Sequence, residues 1–282
     1  MPDTSQFISR FSAGIHLLDG ATGTELRKAG MPENCCAEQW IIDHPQALIS
    51  LQYAYVDAGS EIVYAPTFLA QPLALKRWGL EHETEEINRK LISLSRTAAP
   101  GCLIAGNLTT MTGFADPGSP EAREAYRRQI QGLIGGGADI LAAETLTNTE
   151  EAVVILSVAR ELSSPAVMIS FTCRDHDRLY SGEQLIDAIQ AAEGSGAAAV
   201  GVNCVPASKD LPEMIKGLRR ITGLPLICKP NAGHPADHRY PVDRYEFRSI
   251  LSACAENGAN LIGGCCGTTP DYIRGLSGIC NS

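Results

Sequence analysis

Three cysteines stand where thiol chemistry can use them. Cys265 and Cys266 are adjacent in Gly263-Gly264-Cys265-Cys266-Gly267-Thr268-Thr269-Pro270, and Cys204 closes the run Val200-Gly201-Val202-Asn203-Cys204. Neighbouring side chains of a regular strand point to opposite faces, so two adjacent cysteines serve one site only where a strand ends and the backbone turns. The flanking glycines permit such a turn. Thr268-Thr269-Pro270 then reads as a helix start, with proline at the first helical position. Three thiolates with a fourth position left open describe a catalytic zinc rather than a closed structural one. Core packing is the ordinary role of a lone cysteine such as Cys204, and a vicinal pair can also be a redox couple. A second vicinal pair, Cys35-Cys36, lacks flanking glycines and is read as structural, with a rival metal position as its alternative.

Two carboxylates occupy comparable places. Asp19 follows His16-Leu17-Leu18, and Glu144 follows Leu141-Ala142-Ala143. An Asp-Gly step by itself means only a turn. A glutamate after so apolar a run needs a partner. Together at one mouth the pair could bind a substrate ammonium or act as acid and base, while Glu144 could instead cap a helix. Lys229, in Lys229-Pro230-Asn231-Ala232-Gly233, reads as an interior cation paired with a carboxylate. His234 and His238 read as solvent-exposed loop residues.

These residues must be held by something. Short apolar runs at 14–19, 61–68, 102–108, 138–145, 166–173, 197–204, 225–231 and 259–265 alternate with helical patterns. Nearly continuous apolar character is what strands buried on both faces show. Ile87, Leu91, Leu94 and Ala98 share one helical face, as do Phe247, Ile250, Leu251 and Cys254. Ser119-Pro120-Glu121 and Asn148-Thr149-Glu150 are helix starts, and the steps Gly137-Ala138, Gly196-Ala197 and Gly258-Ala259 end helices. Eight strand–helix units predict an α/β fold, a (β/α)8 TIM barrel forming a single domain over 1–282. Active sites of such barrels lie at the carboxyl ends of the strands. Those ends read Asp19, Thr67, Asn107, Glu144, Cys173, Cys204, Asn231 and Cys265-Cys266, polar and thiol-rich against apolar strand bodies.

Composition narrows the class. The 282 residues are 44% hydrophobic and 20% charged, with a net charge of -9. That balance argues against nucleic acid and anionic membrane surfaces as partners. No secretory signal or membrane-length apolar run is visible, and the ten cysteines are scattered rather than framework-like, so a reducing cytoplasm is expected.

The sequence resembles the homocysteine S-methyltransferase family over nearly its whole length. The likeness rests on Leu18-Asp19-Gly20-Ala21-Thr22-Gly23-Thr24-Glu25-Leu26, Pro66-Thr67-Phe68, Glu144-Thr145, Val200 to Cys204, Lys229 to Gly233 and Gly263 to Pro270. It is nearest to the homocysteine-binding module of cobalamin-dependent methionine synthase. The resemblance implies one zinc ion on Cys204, Cys265 and Cys266, with the substrate thiolate as fourth ligand. It implies that Asp19 and Glu144 hold the amino group of homocysteine. The Gly20-Ala21 main chain would take its carboxylate, and Thr67 would complete the substrate-binding set. The methyl donor would be methylcobalamin or methyltetrahydrofolate on a separate corrinoid protein, with S-methylmethionine or S-adenosylmethionine as the alternative. A binding module without turnover is the third reading, and self-association is left open. Related synthases carry asparagine where this chain has Pro66, which removes an amide from the second strand's end.

Overall fold

The computed structural model describes residues 2–175, 177–234 and 240–280. Eight parallel strands form the barrel: β1 (His16–Leu17), β2 (Ile62–Tyr64), β3 (Leu103–Leu108), β4 (Ile140–Leu146), β5 (Val167–Phe171), β8 (Ala199–Pro206), β9 (Leu226–Asn231) and β10 (Leu261–Ile262). Two further strands among the described residues, β6 (Cys173–Asp175) and β7 (Arg178–Leu179), pair antiparallel after β5. The barrel order is β1-β10-β9-β8-β5-β4-β3-β2. It closes between its two ends through a parallel bridge from Leu18 to Ile62, with the Glu61 N–H donating to the Leu17 carbonyl at 2.8 Å.

Helices fill the crossovers. After α1 (Thr4–Phe11) and β1 come α2 (Gly23–Lys28), α3 (Ala37–Asp43) and α4 (Pro45–Asp57). Next are α5 (Pro72–Leu75) and α6 (Thr84–Ala98) before β3, α7 (Pro120–Gly135) before β4 and α8 (Thr149–Glu161) before β5. Then follow α9 (Leu185–Gly194), α10 (Leu211–Arg219), α11 (Arg244–Glu256) and α12 (Pro270–Leu276). The expected caps are present. Ser119 accepts from the Ala122 N–H and Asn148 from the Glu151 N–H. Gly137, Gly196 and Gly258 take positive φ after their helices, where a side chain would be strained.

Each strand faces two ways. Inside the barrel lie Leu18, Ile62, Ala105, Ile140, Ala142, Met168, Ala199, Ile227 and Leu261. The outer faces pack on the helices through Val63, Ile104, Leu141, Ile169, Val200 and Cys228. The amino-terminal mouth is stoppered by α1, which the sequence reading did not assign. Its Asp3–Gln6 capping box fixes the start, and Phe7 and Phe11 are fully buried against the interior cluster. Small alanines in the interior leave room for these two rings.

The last strand is shorter than the predicted 259–265. Gly263 and Gly264 leave the sheet and cross toward the end of β1, where the Gly264 N–H donates to the Asp19 carbonyl at 3.0 Å. A Cβ on Gly263 would stand 2.7 Å from that same oxygen, so only glycine permits the approach. The crossing delivers Cys265 and Cys266 to the mouth.

Candidate active site

Cys204, Cys265 and Cys266 converge, with their three Sγ atoms within 4.8 Å of one another. They come from β8 and from the turn after β10, with β9 between those strands. Two local devices aim them. Cys204 has φ of 56°, a left-handed conformation unusual for a side-chain-bearing residue, at a register shift in the β8–β9 pairing. That turns its thiol out of the strand's alternation. Asn231, ending β9, then binds both flanks: its Nδ2 donates to the Cys204 carbonyl at 3.1 Å, and its Oδ1 accepts from the Cys266 N–H at 3.0 Å. The Cys265 N–H donates to the Pro230 carbonyl at 2.7 Å.

Crowding of three sulfurs makes them share protons. Hydrogen bonds from Cys204 and Cys265 pull Cys266 down to about 3, while the same contacts push Cys204 up. The Tyr240 phenol also hydrogen-bonds Cys266. Gly267, at φ 81°, lies under that ring, where a Cβ would collide with it.

Asp19 and Glu144 sit deeper, 1% and 7% exposed. Asp19 Oδ2 accepts from the Tyr64 N–H at 2.8 Å, and its buried Oδ1 has no hydrogen-bond partner among the described residues. Glu144 Oε1 accepts from Asn107 Nδ2 at 2.8 Å, and Oε2 faces Asn203 Nδ2 at 3.5 Å. Lys229 Nζ lies 3.6 Å from Asp19 Oδ1 and 3.9 Å from Glu144 Oε2, the interior ion pair expected of it. Burial raises Asp19 to about 7, against the opposing pull of Lys229 and the Tyr64 amide. Burial also raises Glu144, again opposed by Lys229. Burial works against the charge of Lys229 too, but Glu144 and Asp19 outweigh it and raise its pKa.

Three residues expected at the substrate also have contacts within the protein. The Ala21 N–H donates to Thr268 Oγ1 at 3.2 Å, so within the protein this amide already has a partner. Gly20 is closely packed, since a Cβ there would stand 2.7 Å from the Tyr55 ring. The Thr67 hydroxyl donates to the Asn107 carbonyl at 2.8 Å and accepts from the Asn107 N–H at 2.9 Å. Thr67 thus fixes the residue that orients Glu144. Cys35 and Cys36 remain apart from the thiol trio. Cys35 donates to the Pro32 carbonyl, and Cys36 faces Glu38 at the start of α3.

Asn203 was missed as a site residue. Fully buried, it takes the Thr145 N–H on Oδ1 at 2.7 Å and gives Nδ2 to Thr145 Oγ1 at 2.8 Å, holding Thr145 at φ 61° beside Glu144. Tyr240 was missed as well. A position just before Cys204 was the one available signal for Asn203. His238 lies outside the described residues. Beside Cys204 opens a cavity of about 600 Å³, lined in part by Thr145, Thr172, Cys173, Arg174, Met214 and His234. Cys173 and His234 therefore both face the site.

A parallel barrel with a thiol trio and two buried carboxylates at its carboxyl mouth defines the class: an enzyme scaffold whose site sets three thiols able to hold a soft metal beside two carboxylates. The comparisons with known proteins sharpen that. The family model described as homocysteine S-methyltransferase matches residues 16–280, and the chain belongs to that family. It is similar to the homocysteine S-methyltransferase of Escherichia coli K12, at 28% identity over 93% of this chain and 94% of that one. It is 26% identical to methionine synthase of Mycobacterium leprae over 91% of this chain, but over 23% of that longer protein. The crystal structure of the homocysteine methyltransferase MmuM from Escherichia coli, metallated form, superposes with a TM-score of 0.81 at 27% identity, covering 94% of this chain and 96% of that one.

Proposed function

We propose that this mouth transfers a methyl group to the thiol of homocysteine, giving methionine, with a zinc ion held by Cys204, Cys265 and Cys266. The observation that carries the reading is the sulfur trio itself. A tetrahedral zinc with Zn–S bonds of about 2.3 Å needs sulfurs about 3.8 Å apart. Three Sγ atoms within 4.8 Å reach that spacing by small rotations. Soft thiolate ligands suit zinc. When bound there, zinc supplies deprotonation and placement of a fourth thiol, which free in water has a pKa of about 8.5 and is mostly protonated at neutral pH.

The chain's own residues do the rest. Asp19 and Glu144 take the amino group of homocysteine, with Asp19 Oδ1, which faces Lys229 without a hydrogen bond, as one acceptor. The acceptor sulfur is then aimed toward the cavity beside Cys204. In the transfer, the sulfur's electron pair attacks the methyl carbon, the bond from that carbon to the donor breaks, and the donor leaves with those electrons. The thiol proton has already gone to solvent, so no protein base acts in this step.

Two donor classes fit the resemblance. A methylated corrinoid on a separate protein, supplied from methyltetrahydrofolate, is one. A free sulfonium such as S-methylmethionine or S-adenosylmethionine is the other. The cavity of about 600 Å³ favours the second, because pockets enclosing a small ligand run about 300–1,000 Å³. Methionine formation is the test, with each donor offered separately to zinc-loaded protein. Turnover with a sulfonium alone is the expected result. Turnover with methylcobalamin alone reverses the donor, and no methionine from any of them leaves a binding module.

Asn231 gives a second expected result. Asn231→Ala removes the bridge between the Cys204 carbonyl and the Cys266 amide. Loss of such supporting contacts weakens metal affinity by about 10–100-fold. Competition against a chelator of known zinc affinity measures it; an unchanged zinc constant removes Asn231 from the metal's support.

A further inference from the structure

The oxygens best placed to receive a substrate ammonium already face a cation. Lys229 Nζ approaches Asp19 Oδ1 at 3.6 Å and Glu144 Oε2 at 3.9 Å, longer than hydrogen bonds and coulombic in character. The lysine comes from β9, where Ile227 faces the barrel interior and Cys228 the helices, so alternation turns Lys229 inward. Its side chain is 5% exposed, and Nζ sits 4.7 Å from the centre of the Tyr64 ring. Tyr64 in turn donates its N–H to Asp19. Lys229 is thus enclosed by two carboxylates and an aromatic face, with Cys265 a lesser coulombic neighbour behind Glu144 and Asp19.

Two anions and one cation leave this cluster with one net negative charge, one positive charge short of neutral. The shortfall matches one ammonium. We propose that Lys229 is a positioning residue that sets selectivity for an acceptor thiol bearing an ammonium, by holding Asp19 and Glu144 side by side as anions. Without it, two like charges this close in a low-dielectric interior do not both ionise. One carboxyl takes a proton and presents a donor to the incoming ammonium. A lysine that served merely to fill the barrel would leave the preference for an ammonium untouched. This inference rests on the proposed seat of the amino group at Asp19 and Glu144, and extends it to the residue that maintains the seat.

The test needs no methyl donor. Calorimetry on zinc-loaded protein gives Kd for homocysteine and for 4-mercaptobutanoate, which is homocysteine without its amino group. Wild-type protein is expected to prefer homocysteine by about 30-fold, the scale of charge-assisted hydrogen bonds. In Lys229→Met the preference falls to about threefold, with the Kd for 4-mercaptobutanoate and the zinc content unchanged. Should the methionine variant fail to fold, Lys229→Ala is measured with propylammonium and, separately, with 1-propanol. Recovery of the preference with the amine alone supports the role. Equal recovery with both, or equal weakening of both thiols, assigns Lys229 to packing and overturns it. So does a variant that keeps the wild-type preference. If wild-type protein holds the two thiols equally well, the ammonium seat itself fails and the role of Lys229 with it.

Discussion

Serine at Cys204, Cys265 or Cys266 is expected to abolish stoichiometric zinc, from one ion per chain to below about a tenth, and to lower methyl transfer by about a thousandfold or more. A serine hydroxyl is not deprotonated at neutral pH, so it replaces a soft anionic ligand with a weak neutral one. The loss should be nearly the same for each of the three, since each supplies one of three sulfurs in a single cluster. Serine at both Cys35 and Cys36 serves as the control. That pair is held by Pro32 and Glu38 at the start of α3, and its removal should leave zinc content unchanged. Elemental analysis of protein purified under reducing conditions reads both. Full zinc in Cys204→Ser would falsify the three-thiolate centre, and loss of zinc from the Cys35/Cys36 variant would move the metal to the rival pair.

Glu144→Gln and Asp19→Asn should each weaken homocysteine binding by about 10–100-fold, with little change for 4-mercaptobutanoate. The reason is electrostatic more than steric. An amide in place of either carboxylate removes an anion and turns N–H donors toward Lys229, which already lies 3.6 and 3.9 Å away. The incoming ammonium then meets a cation with too little negative charge around it. A pH dependence accompanies this. Burial raises Asp19 to about 7, so its anion is lost as pH falls through that value. Affinity for L-methionine, which offers an ammonium but no free thiol, should therefore drop below about pH 7 in wild-type protein and lose that dependence in Asp19→Asn. Titration calorimetry across that range is the measurement. A wild-type affinity flat from pH 5 to 8, values chosen to bracket about 7, would remove Asp19 from the ammonium seat.

The amide layer between these two charged clusters explains why both can persist at one mouth. Asn107 holds Glu144, Asn203 holds Thr145, and Asn231 holds the backbones of Cys204 and Cys266. Asparagine supplies a donor and an acceptor without charge, so each can join two strand ends without adding to the net charge of the site. The left-handed residues Thr145 and Cys204 both sit beside Asn203 in the chain or across the sheet. Strain of that kind persists where surrounding bonds over-determine the backbone.

The sequence by itself determined the eight strands, the mouth and the thiol trio. Parallel strands buried on both faces leave unbroken apolar runs, and the first polar residue after each run marks its carboxyl end. Asp19, Glu144, Cys204 and Cys265-Cys266 were legible for that reason. The tertiary structure alone decided which polar groups already had partners. Whether the Ala21 amide had one depended on Thr268, from the other end of the chain, and the Thr67 hydroxyl met Asn107 across the sheet. The α1 stopper depended on small interior residues contributed by several strands, a match no local pattern records. Most of all, the placement of Lys229 between Asp19 and Glu144 came from barrel closure. Strand register fixes which side chains share the interior, and a charge's meaning there is set by neighbours that sequence spacing leaves far apart.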